Sequence, residues 1–219
     1  MHIHPSLISS DLLDLKATIK LLDPHCKGYH LDVMDDHFVP NLTWGPSFIN
    51  AIRQTTNLSL YVHLMVDNPF AWPDRLELKH EDTIVFHYEA LPNQRDQKKL
   101  IDHIHSKGIL AGIALNPNTS VDLIADCLPL IDSVLVMSVE PGFSGQAFIP
   151  HALNTVKRLD GLRIVHKYRF SIAMDGGINE RTIKDIANHN VDIAAAASAL
   201  FSKPDPIQAL RKLYELIQG

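Results

Sequence analysis

Eight short apolar segments recur along the chain at fairly even spacing, and this rhythm constrains the fold more than any other feature. They are HIHPSLI (2–8), GYHLDVM (28–34), LSLYVHLM (58–65), DTIVFH (82–87), ILAGIAL (109–115), SVLVMSV (133–139), FSIAMD (170–175) and DIAAAAS (192–198). Each has the length of a strand. Several are apolar throughout, as parallel strands covered on both faces must be. Helical stretches lie between them. DLLDLKATIKLL follows Ser9 and Ser10, either of which suits a helix start. RDQKKLIDHIHSKG spaces its apolar residues for one helix face and ends on Gly108, a C-terminal stop. The segment from Pro204 to Ile217 predicts a closing helix. Eight strands alternating with helices predict an α/β fold, one (β/α)8 TIM barrel domain spanning residues 1–219. An open doubly wound sheet is the alternative, disfavoured because no GxGxxG follows the first segment.

Composition narrows the partners. Lys and Arg number 20 against 25 Asp and Glu, a formal net charge of -5, and no basic stripe occurs. Nucleic acid is therefore not an expected partner. The N-terminus lacks the pattern of a signal peptide, and no apolar run approaches the ~20 residues of a membrane-spanning helix. The expectation is a soluble, cytoplasmic protein with no membrane partner. Cys26 and Cys127 belong to no CxxC pair, which argues against a disulfide framework or a cysteine-rich zinc site.

The unusual residues are polar ones inside apolar segments. His30 and Asp32 are two apart in the second segment, so strand alternation points both to one face. In a parallel barrel the active site gathers at the carboxyl ends of the strands. Ser6, His63 and Asp175 fall there as well. Two imidazoles and two carboxylates from His30, Asp32, His63 and Asp175 suit one divalent transition metal. An H-x-D pair alone is weak evidence. The second such pair, His80 and Asp82, reads as a solvated surface connection, and His87, His103, His105 and His151 read as surface or core residues. Three glycine- or alanine-rich segments follow late strands: PGFSGQ (141–146), DGGI (175–178) and AAASALF (195–201). With few basic residues beside them, they predict a phosphate held by backbone N–H groups, and the first is the connection expected to move.

These residues together resemble the ribulose-phosphate 3-epimerase family over essentially the whole chain. The segments that carry the resemblance are PSLISSD, HLDVMDDHFVPNLTWGP, VHLMVDNP, LNPNT, VLVMSVEPGFSGQ, MDGGI and AAASALF. The resemblance implies a ribulose-phosphate-binding barrel that interconverts ribulose 5-phosphate and xylulose 5-phosphate at C3, in the pentose phosphate pathway. It implies His30, Asp32, His63 and Asp175 as ligands of a cation (iron, zinc, manganese or cobalt), with Asp32 and Asp175 also the acid/base pair. It implies substrate contacts from Ser6, His63, Met34, Met65, Met137, Gly142, Phe143, Ser144, Gly145, Asp175, Gly176, Gly177, Ala197 and Ser198. It also implies a homo-oligomer, a dimer or a hexamer. The chain departs from the family pattern at Asp36, Ser144 and Ala197, each where a glycine is usual. If Ala197 had to adopt positive φ, its methyl would weaken phosphate binding by up to about tenfold. Two rival readings are an epimerase of a hexulose phosphate, such as allulose 6-phosphate, and a barrel that binds sugar phosphate without turnover.

Overall fold

Each of the eight apolar segments forms a strand in the computed structural model, which describes residues 1–218. The strands are β1 (His2–Pro5), β2 (Gly28–Met34), β3 (Ser59–Met65), β4 (Thr83–His87), β5 (Leu110–Leu115), β6 (Ser133–Met137), β7 (Ser171–Asp175) and β8 (Ile193–Ala196). All pairs are parallel, in the order β1-β8-β7-β6-β5-β4-β3-β2. A bridge between Ser6 and His30 brings β1 against β2 and closes the sheet into a barrel. Every residue of β2, β4 and β6 is buried, which explains why β4 and β6 lack polar alternation.

The outer layer holds α1 (Leu15–Leu22), α2 (Pro46–Thr55), α3 (Gln94–Ser106), α4 (Ala152–His166), α5 (Ile183–Asn188), α6 (Ser198–Phe201) and α7 (Pro206–Gln218). Leu100, Ile101 and Ile104 of α3 are buried, and Gly108 behind it has φ +73°, the left-handed stop its position predicts. Two expectations need correction. Neither Ser9 nor Ser10 starts a long helix: Leu7–Ser9 is a single 3-10 turn, and α1 begins only at Leu15, after Asp14. The connections after β3 and β5 contain short 3-10 turns instead of full helices. Pro69 and Pro73, one helical turn apart, remove the donors that an α-helix needs after β3.

A third correction concerns Asp82. It is fully buried, not part of a solvated connection. One of its oxygens accepts from Arg53 Nη1 at 2.5 Å and Leu60 N at 2.7 Å, and the other accepts from Lys79 N at 2.7 Å. Arg53 also donates to the carbonyls of Thr56 and Leu58, so the pair fastens the end of α2 beneath β3 and β4. Among the described residues, no helix is long and apolar enough to cross a membrane.

Candidate metal and active centre

Strand register brings the four expected ligands together. Asp32 of β2 is paired with His63 of β3, and Met34 with Met65 one row further toward the mouth. Met137 of β6 is paired with Asp175 at the end of β7. His30 Nε2 lies 3.0 Å from Asp32 Oδ1 and 3.5 Å from Asp175 Oδ2. His63 Nδ1 lies 3.2 Å from the same Asp32 oxygen and 3.7 Å from the same Asp175 oxygen. One ligand atom from each of the four residues falls within a set no more than 4.8 Å across. Four donors arranged tetrahedrally at about 2.1 Å from a cation sit about 3.4 Å from one another, so this cluster could hold a metal ion. Nitrogen and carboxylate oxygen together suit a divalent transition metal.

The two carboxylates stand in different electrostatic settings. Burial opposes the ionisation of Asp32, but the charge of His30 and the hydrogen bond from it outweigh this, holding the carboxyl well below its usual range. Burial pushes Asp175 up to about 7; His30 opposes this and the Asp32 charge adds to it. Burial also depresses His63 to about 3, keeping the imidazole neutral, the form in which it can ligate a metal. Ser6 Oγ donates to Asp32 Oδ2 at 2.6 Å and fixes the carboxylate from the β1 side.

Above the cluster opens a cleft. Ser6, Asp32, Met34, Met65, Met137, Gly142, Phe143, Ser144, Gly145, Asp175, Gly176, Gly177, Ala197 and Ser198 all line it. His30 and His63 lie buried at its base. No site residue expected from the sequence lies elsewhere. Lys and Arg are absent from the lining, leaving backbone groups and hydroxyls at the rim of β7 and β8. Gly176 has φ +112°, and a Cβ there would stand 2.5 Å from a Val139 methyl. Gly177 has φ +62°, and its Cβ would stand 2.6 Å from the Phe148 backbone. Ala197, by contrast, has φ -105° and ψ -93°. The condition for a strained alanine is therefore not met, because no left-handed conformation is required there. Asp36 is the departure that does sit at positive φ, 60°.

Several contributors went unread in the sequence. Asn41 Nδ2 donates to the Gly142 carbonyl at 2.7 Å, and Ser9 Oγ and Ser144 Oγ are 3.1 Å apart, so the 141–146 loop is fastened over the mouth. Gln146 ties the same loop internally, donating to the carbonyls of Glu140 and Phe143. Thr43 Oγ1 donates to the Asp32 carbonyl at 2.8 Å. His87 is completely buried, its Nε2 only 2.7 Å from His63 Nε2. Only the H-x-E spacing of His87 and Glu89 could have flagged any of these, and such a spacing is too common to single out.

A closed parallel barrel with an imidazole and carboxylate centre at the carboxyl ends of its strands defines a (β/α)8 enzyme. The model of the Ribulose-phosphate 3 epimerase family matches residues 2–201, and the chain belongs to that family as an isomerase of the epimerase kind. It is 40% identical over 199 residues to the ribulose-phosphate 3-epimerase of Treponema pallidum (strain Nichols), spanning 90% of each chain. It is 38% identical over 220 residues to that of Chlamydia muridarum, spanning 99% of this chain and 94% of the other. The Mycobacterium bovis enzyme is 36% identical over 96% of this chain and 90% of its own. Among solved structures, KGPDC from Streptococcus mutans superposes with a TM-score of 0.74 at 14% identity, over 99% and 97% of the two chains. A 3-hexulose-6-phosphate synthase gives 0.70 at 14%, over 99% of each chain. At such identities the likeness is one of fold.

Proposed function

We propose that the chain interconverts D-ribulose 5-phosphate and D-xylulose 5-phosphate at C3, with Asp32 and Asp175 as its acid/base pair. The observation that carries this reading is the pair itself: two carboxylates, Asp32 buried and Asp175 half-buried, projecting from β2 and β7 into one cleft, with opposite tendencies to hold a proton. Environments that push two titratable groups apart assign one as base and the other as acid. Asp32, ionised, removes the C3 proton of one epimer, and Asp175, carrying a proton, returns one to the opposite face of the planar ene-diolate. In the reverse direction the roles exchange. β1 and β8 lie between β2 and β7 around the barrel, which supports approach from two sides.

His30, Asp32, His63 and Asp175 would hold one divalent cation, and it would supply Lewis acidity against the charge that builds on the substrate oxygens. Ser6 keeps Asp32 oriented. Met34, Met65 and Met137 exclude water around the reacting carbons without offering a competing proton. The backbone of Gly176, Gly177, Ala197 and Ser198, at the entry to α6, holds the phosphate, and the loop bearing Gly142, Phe143, Ser144 and Gly145 covers it. On this reading the enzyme works in the cytoplasm as a homo-oligomer, and exposed Leu12, Leu13 and Leu42 support association between copies.

A coupled assay on metal-reconstituted protein tests this, offering ribulose 5-phosphate and allulose 6-phosphate side by side. Turnover of the pentulose should dominate and should vanish on chelation. Asp32→Asn and Asp175→Asn should each lose about 10³-fold or more in kcat. Near-parental activity in either variant would remove that residue from the mechanism.

A further inference from the structure

Behind His63, on the side away from the cleft, runs a chain of hydrogen bonds that the acid/base chemistry does not use. His63 Nε2 lies 2.7 Å from His87 Nε2, and His87 Nδ1 lies 3.1 Å from Glu89 Oε2. The other oxygen of Glu89 accepts from Asn116 N at 2.9 Å and from Thr119 Oγ1. His87 ends β4, and Glu89 follows two residues later in the connection to α3. The Phe38 ring covers His87, with centroids 4.8 Å apart.

The direction of every bond follows from the far end. Asn116 N–H and Thr119 Oγ1 point at Glu89 as donors, so its carboxylate is the common acceptor. His87 Nδ1 must therefore carry hydrogen, and in the neutral imidazole Nε2 is left as an acceptor. That acceptor needs a hydrogen on His63 Nε2, which leaves the lone pair of His63 on Nδ1, the atom facing Asp32 and Asp175. The reverse arrangement would place a hydrogen on His63 Nδ1 and block ligation.

We propose that His87 and Glu89 are positioning residues: they fix the tautomer and aim of His63, so that the metal centre is ready before a cation arrives. The inference rests on the metal reading above. Outer partners of this kind typically govern metal affinity by 10–100-fold.

The test is a competition titration of cobalt(II) ions against a chromophoric chelator, with the cobalt absorption spectrum recorded at saturation. It compares the parent with His87→Ala, Glu89→Gln and the double variant. His87→Ala and Glu89→Gln should each bind cobalt about 10–100-fold more weakly and alter the spectrum. Because both act through one chain, the double variant should bind no more weakly than His87→Ala alone. Kd values within threefold of the parent, or losses that multiply in the double variant, would overturn the proposal. If His87→Ala does not fold, Glu89→Gln keeps the shape of the side chain and decides the matter. A parent that binds no cobalt would instead overturn the metal reading, and the relay with it.

Discussion

Asp175 has a folded-state value of about 7 against a usual 3.8, and the direction of that shift has a consequence for stability. A carboxyl raised in the folded state favours folding while it is protonated. Its contribution is full below about pH 4 and is lost as pH rises through about 7. Asparagine imitates the protonated acid at every pH. In chelator-treated samples, Asp175→Asn should melt near the parent at about pH 4 and increasingly above it toward pH 8. A difference that does not grow with pH would contradict the assigned environment. Glycine makes a second prediction at this scale. Gly177→Ala meets both a positive φ and the Phe148 backbone at 2.6 Å, so it should destabilise by about 2 kcal/mol or more and impair turnover. Ala197→Gly should do little. With φ already at -105° there is no left-handed conformation to relieve, and KM should stay within about threefold. A marked fall in KM would restore the cost that the backbone angle argues against.

Among the elements, strands were more legible than their connections, for a reason visible in particular residues. β2 declares itself because Leu31 and Val33 alternate with His30 and Asp32, and burying those two is reasonable only around a shared centre. The same H-x-D spacing at His80 and Asp82 misleads, because the chemistry that buries Asp82 lies 29 residues away at Arg53. A local pattern cannot show a distant partner. His87 escaped for the same reason: its importance comes from His63 across a strand pair, and a buried histidine looks like any other core residue. The Arg53–Asp82 link can be tested at this scale. Asp82→Ala leaves a buried guanidinium and two backbone donors without their acceptor, and should cost about 3–5 kcal/mol in a denaturant titration. A loss below about 1 kcal/mol would show that solvent reaches Arg53 after all.

For the molecule as a whole, the seven ladders from β2 round to β1 are continuous, whereas β1 and β2, though packed together, share backbone pairing only at the Ser6–His30 bridge among the described residues. The side chains of Ser6, His30 and Asp32 flank that joint, and the Ser6–Asp32 hydrogen bond spans it. A cation at about 100 times its Kd should stabilise the fold by about 2.7 kcal/mol, and His63→Ala should abolish the gain. A melting temperature indifferent to cobalt in the parent would count against the centre. Here the seam acquires a second meaning. A cylinder whose one unlaced edge runs through its reactive centre is clasped by whatever occupies that centre. On the metal reading, occupancy then sets lifespan: a working copy should stay shut, while an idle one should be the copy that heat or a protease opens first.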